Sequence, residues 1–193
     1  MLKIAHRINN PRALSDLSPD LGVEMDLHAY GDRLVVHHDA FADAVDFEEW
    51  LDSYRHAFVI LNIKEEGIET RVREIVLRRG IDDFFMLDLS FPALIKMVMA
   101  GERRVALRVS EYEPAAGALT LAGQAEWVWL DVFHGLPIDD DSWNALRRAG
   151  FKLCLVSPEL HGRPVDEIAA MRSEMDRRNL TVDAVCTKHP HLW

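Results

Sequence analysis

Short apolar runs recur along the chain, each followed by a more polar stretch. They fall at 3–7, 22–28, 58–64, 84–89, 104–110, 127–132, 152–157 and 183–188. Most are continuously apolar rather than alternating, as strands are when both faces of a parallel sheet are covered. Amphipathic segments with helical spacing fill 68–79, 91–100, 141–149 and 164–179. Gly80, Gly101 and Gly150 follow three of them, where a left-handed cap favours glycine. Eight strands alternating with helices predict an α/β chain folded as a small (β/α)8 TIM-type barrel. With 193 residues the chain is shorter than the ~250 usual for that fold. Some helices must therefore be short or missing, chiefly between the first two strands and around 111–125. A doubly wound open sheet is the rival, and strand count alone does not exclude it. No Pro/Gly-rich linker or low-complexity tract interrupts the chain, which reads as one domain over 1–193.

Composition narrows the partners. Lys plus Arg number 22 against 32 Asp plus Glu, a formal net charge of −10. That balance argues against a nucleic-acid or anionic-membrane surface, either of which needs a basic face. The sequence shows no apolar stretch approaching a membrane span, and none near its start long enough for a signal peptide. Cys154 and Cys186 are the two cysteines, read as reduced and structural. The expected location is the cytoplasm.

The chemistry concentrates where polar residues end the apolar runs. His6-Arg7, Glu24-Met25-Asp26, Asn62-Ile63-Lys64, Asp88, Arg108 with Glu111, Asp131, Ser157 with Glu159, and Lys188 all lie at C-terminal strand ends. In a barrel those ends form the rim where active sites of this fold are built. Glu24 and Asp26, two apart on one strand, share a face. They are two hard oxygen ligands for one cation, or the solvent face of an edge strand. His6 ends the first strand, and His38 ends the run Leu34-Val35-Val36-His37-His38-Asp39 after a Gly31-Asp32 turn. Two histidines flanking a carboxylate pair suit proton transfer on both sides of a reacting phosphorus. The apolar bulk of Phe84, Phe85, Met86, Met97, Met99, Trp127 and Trp129 is read as core or helix packing. His189 and His191 are read as belonging to a frayed tail.

In chain order these motifs resemble the glycerophosphodiester phosphodiesterases and related phospholipase-C-like barrels. The resemblance rests on HR at 6–7, E-x-D at 24–26, the GD turn with VVHHD at 35–39, LNIK at 61–64 and VDAVCTKHP at 182–190. FFMLDLSFP, RVSEYE, WVWLD and LCLVSPEL are similar to a compact bacterial subgroup. The resemblance implies a metal-dependent phosphodiester hydrolase whose partner is a small phosphorylated substrate, a glycerophosphodiester or sugar-linked phosphodiester. His6 and His38 would be its acid–base pair, His38 being preferred to His37 because it directly precedes Asp39. Glu24 and Asp26 would bind a divalent metal, and Arg7, Lys64 and Lys188 would contact substrate. Asn62 stands where the family carries a third metal carboxylate. It can lend a carbonyl oxygen but no charge, so Mg²⁺ becomes as acceptable as Ca²⁺. The family's Glu-Asn-Thr helix start is replaced by Asn9-Asn10-Pro11, and the insertion after His-Asp is missing. Alternatives are a phosphosugar-binding barrel with impaired catalysis, and a metal-dependent sugar-phosphate isomerase or lyase using Lys64 or Lys188 as base.

Overall fold

The structure, a computed structural model, describes residues 1–193. In chain order its elements are β1 (Leu2–Ala5), α1 (Pro11–Ser15), β2 (Gly22–Tyr30), β3 (Arg33–Val36), α2 (Phe47–Asp52) and β4 (Phe58–Ile63). Then come α3 (Glu69–Arg78), β5 (Phe84–Leu87), α4 (Phe91–Met99), β6 (Ala106–Val109), α5 (Ala115–Leu119) and β7 (Trp127–Leu130). The chain finishes with α6 (Asp140–Arg148), β8 (Lys152–Val156), α7 (Glu167–Arg177) and β9 (Ala184–Thr187), with 3₁₀ turns at Pro158–His161 and Pro190–Leu192. The residues divide into two compact units, His6–Val105, and Met1–Ala5 with Ala106–Trp193.

In the His6–Val105 unit, β2, β4 and β5 run parallel, in a register that sets Asp26 beside Asn62 and Leu61 beside Met86. Every residue of β4 and β5 is buried, which explains their unbroken apolar sequences. The strand β3, absent from the predicted set, folds back antiparallel on β2 through the turn at Gly31, whose φ is +59°. Leu34, Val35 and Val36 of β3 are buried against this partner, so the run before the histidines is a strand and not a connection. Helices α2 and α4 begin at Asp46 and Ser90, whose side chains accept from the backbone N–H groups of Glu48 and Ala93. On α4 the buried positions are Ala93, Leu94 and Met97. Met99 falls off that stripe and is 84% exposed, so the expectation that it packs inside is corrected.

In the other unit the strands run parallel in the order β1-β9-β8-β7-β6. The first strand of the chain pairs with the last, Leu2 beside Ala184 and Ala5 beside Thr187. An open doubly wound sheet does not bring its first and last strands together, so this pairing selects the barrel. With eight parallel strands and intervening helices, the fold class is the small (β/α)8 barrel that the sequence predicts. The shortening falls where expected, since α1 and α5 have five residues each. Asp139 caps α6 through the Ser142 N–H, which leaves Asp141 in the first turn beside the positive end of the helix dipole. No helix is long and apolar enough to cross a membrane.

The tail is docked, contrary to the reading of a frayed end. Trp193 is buried and its Nε1 donates to Ser157 Oγ at 2.8 Å, while Arg172 donates to the Leu192 carbonyl at 2.6 Å. A ring that large carrying one donor is stable inside when an acceptor meets it. Ser157 in turn hydrogen-bonds Glu159, and Glu159 accepts from Thr187 Oγ1 and the Lys188 N–H at 2.6 and 3.0 Å. Trp193→Ala should therefore cost about 3 kcal/mol, the usual scale for deleting a buried tryptophan. Thermal unfolding should read this as a Tm lowered by roughly 6–12 °C.

Candidate active site

The site is assembled from a short loop, the middle of β2 and the end of β4 in the His6–Val105 unit. Residues 6–9 lie along β2 and are fixed there at each step. The Arg7 N–H donates to Glu24 Oε2 at 2.7 Å, and the Ile8 N–H donates to the Glu24 carbonyl at 2.7 Å. Asn9 both donates to Asp26 Oδ2 at 2.8 Å and accepts from the Asp26 N–H at 2.9 Å. The Trp50 indole closes the loop from α2, donating to the Ile8 carbonyl at 2.9 Å. These bonds hold Arg7 at φ +56°, a left-handed conformation that costs a residue with a Cβ about 1 kcal/mol. The turn lays the Arg7 guanidinium over the strand end with Nε 3.6 Å from Asp26 Oδ2, half-exposed and donating no hydrogen bond.

Glu24 and Asp26 are each 1% exposed, which removes the alternative of an edge-strand solvent face. Two buried acids two residues apart on one strand face require neutralising neighbours. Asp26 has Lys64 Nζ 3.3 Å from Oδ1, with Asn9 and Arg7 at Oδ2. Lys64 also reaches Asp88 Oδ2 at 3.2 Å, so Asp88 serves as a counter-ion and does not replace the missing carboxylate. Glu24 is less well compensated. It accepts from Asn62 Nδ2 at 2.8 Å and from the Arg7 N–H, with His6 Nε2 at 3.7 Å. Burial, and then the neighbouring charge of Asp26, push its pKa up from the ordinary carboxylate range to about 7 against the opposing pull of those donors.

Asn62 carries the informative atom. Its amide nitrogen must face Glu24, and this leaves Oδ1 buried with no donor. An orphaned buried acceptor costs on the order of 1–3 kcal/mol. No three His, Cys, Asp or Glu side chains converge on a metal-binding arrangement. The oxygen set fits a hard cation all the same, with two acids crowded together and one amide oxygen unsatisfied beside them. Glu24, Asp26 and Asn62 are the residues that would hold it.

His6, Arg7, Glu24, Asp26, Asn62 and Lys64 thus form one connected network. His38 stands at its margin. The His37 N–H donates to the Asp26 carbonyl at 3.1 Å, bringing the segment out of β3 level with that acid. The His38 ring itself is 43% exposed and bonds Asp39 Oδ1 through Nδ1 at 2.8 Å, not Glu24 or Asp26. This bond, with charge from His38, His37 and Arg7, holds the Asp39 carboxyl below its usual range. Beside Lys64 a cleft of about 220 Å³ is lined by Glu65, Glu66, Glu69, Asp88 and Ser90. Lys188 belongs to the other unit, at the end of β9, where its N–H is held by Glu159 and its side chain is exposed. Asp131 is buried there by an ion pair with Arg108, the Trp129 indole at 3.1 Å and His161 Nε2 at 3.1 Å, so it too is already matched by charge. With its indole committed to Asp131, Trp129 is 5% exposed and packs inside.

Asn9 is the site residue that sequence reasoning passed over. Its only signal was negative, a departure from the expected helix start at 9–11.

No family model matches the sequence, and no curated protein does. Solved structures do match. One is a protein of Agrobacterium tumefaciens provisionally named a glycerophosphoryl diester phosphodiesterase, with a TM-score of 0.74 and 15% identity, covering 100% of this chain and 95% of that one. Another is a glycerophosphoryl diester phosphodiesterase of Parabacteroides distasonis, with a TM-score of 0.66 and 11% identity, covering 99% and 84%. At such identities the likeness establishes a shared fold.

The buried acid pair has a consequence for stability. Glu24 is protonated more readily folded than unfolded, so its contribution favours folding below about pH 4.5 and is lost as pH rises through about 7. At ~1.4 kcal/mol per pH unit the loss is about 3 kcal/mol. With a chelator present, Glu24→Gln should therefore raise Tm at pH 8 by roughly 6–12 °C and leave it nearly unchanged at pH 4.5.

Proposed function

We propose that the chain is a metal-dependent phosphodiester hydrolase of the glycerophosphodiester phosphodiesterase type, acting on a glycerophosphodiester or sugar-linked phosphodiester. The observation that carries this reading is the network itself. A buried acid pair is flanked by an imidazole, a lysine and a half-exposed arginine that donates no side-chain hydrogen bond. The fold shared with the two solved phosphodiesterases supports the same class.

In this reading Arg7 and Lys64 take the phosphoryl oxygens, Arg7 as a planar fork and Lys64 as a point charge. Glu24, Asp26 and Asn62 would hold Mg²⁺ or Ca²⁺, which would supply positive charge to the phosphate and lower the pKa of a substrate hydroxyl. One histidine of the pair His6 and His38 accepts the proton of the hydroxyl beside the esterified carbon as its oxygen bonds to phosphorus. The other protonates the departing alkoxide oxygen as its P–O bond breaks, releasing the alcohol. Water then opens the resulting cyclic phosphate with the two roles exchanged. Glu24 lies 3.7 Å from His6 Nε2 and fixes that ring beside the acid pair.

A second reading, a phosphosugar-binding barrel without turnover, draws on the placement of His38. Its ring rests on Asp39 and not on the acid pair.

Hydrolysis of glycerophosphodiesters measured with Mg²⁺, with Ca²⁺ and with a chelator separates the two. Metal-dependent release of the alcohol is expected, and His6→Ala and His38→Ala should each reduce it by about 10²–10⁴-fold. Full activity in either variant refutes its assignment. Phosphosugar binding without metal-dependent turnover establishes the second reading.

A further inference from the structure

The place of Asn9 has a meaning beyond holding a loop. Asp26 Oδ2 has two suitors, the Asn9 amide at 2.8 Å and the Arg7 guanidinium, whose Nε waits at 3.6 Å. An arginine beside a buried carboxylate ordinarily closes onto it as a bidentate pair, the stronger of the available contacts. Here the closure has not happened. Asn9 is anchored from two directions, since its Oδ1 accepts the Asp26 N–H while its Nδ2 donates to the carboxylate of the same residue. This two-point clasp fixes the amide against β2 and sets a donor on Oδ2, the same carboxylate oxygen that Arg7 faces. Lys64 occupies the other oxygen. The guanidinium is left half-exposed, with no hydrogen-bond acceptor of its own.

We propose that Asn9 is a positioning residue that shields Asp26 from Arg7 and so keeps the guanidinium available for an incoming phosphoryl oxygen. This rests on the phosphodiesterase reading for the identity of the anion, while the shielding itself rests on geometry alone. Without the amide, Arg7 would collapse onto Asp26, losing its grip on phosphate and placing a second cation against the acid. The Arg7 backbone is already turned left-handed by the bond from its N–H to Glu24, so the side chain needs only a rotamer change to close.

Two measurements test this, each on the full chain. The first is a double-mutant cycle read by thermal unfolding. Arg7→Ala should lower Tm only modestly in the wild-type background, where the arginine faces Asp26 at 3.6 Å without a hydrogen bond. It should lower Tm by roughly 3 °C more in an Asn9→Ala background, where a closed ion pair is being removed. Any backbone strain at position 7 is common to both arms and cancels. If Asn9→Ala does not fold, Asn9→Ser serves in its place, its hydroxyl being too short to bridge both Asp26 groups. Equal effects of Arg7→Ala in the two backgrounds overturn the shielding. The second measurement is inhibition by inorganic phosphate, with Mg²⁺ affinity followed by calorimetry. Phosphate inhibition should weaken roughly tenfold in the Asn9 variant, and KM should rise more than kcat falls. Unchanged inhibition and KM overturn the role in phosphate binding. If wild-type protein neither turns over phosphodiesters nor binds phosphate, the functional reading fails, and the stability cycle still decides whether Asn9 holds Arg7 away.

Discussion

Two acids on one face of β2, both withdrawn from water, are the constraint to which the surrounding residues answer. A carboxylate without solvent is tolerated only with donors or positive charge in contact. The molecule meets that need from three directions. The loop at 6–9 contributes a backbone N–H and the Asn9 amide, β4 contributes Asn62 and Lys64, and Arg7 leans in from above. Even the strained backbone at Arg7 follows, because its N–H must turn inward to reach Glu24. The compensation is uneven, full around Asp26 and incomplete around Glu24. That imbalance leaves the Glu24 carboxyl with its pKa pushed up.

The other unit solves the same problem differently. Asp131 is paired with an arginine, an indole and an imidazole, and Glu159 is ringed by a serine, a threonine and a backbone N–H. Burial of Glu159 is outweighed by its hydrogen bonds, and its carboxyl titrates below the ordinary range. These acids are structural pins, one joining the strand ends and the other anchoring the tail through Ser157 and Trp193. Similar residue types at similar strand ends thus do two jobs, distinguished by whether the donors around them leave anything unsatisfied.

Much of this was legible in the sequence because it depends on local rules. Continuous apolar runs marked the parallel strands, glycines marked the helix ends, and the spacing of Glu24 and Asp26 put them on one face. Lys64 came with the same logic, lying two residues beyond Asn62 and just past the end of β4. The partnership of Asn9 with Asp26 was hidden, since it depends on how a loop folds across seventeen residues of sequence and no periodicity encodes that. The strand β3 was hidden too, being too short to show a period before its histidines. Met99 misled because composition says an apolar residue is inside more often than it says which side of a helix faces the sheet. The tail misled because polar neighbours at 188–191 masked a terminal indole with a buried acceptor to find.

The amide at position 62 differs from a carboxylate in having two unlike ends. A carboxylate there would set three anions in one dry space, and folding would demand an ion from the start. The amide turns its hydrogens toward Glu24 and knits the strands together unaided. Such a chain can finish folding in a medium poor in divalent ions, because no third anion waits there for a cation.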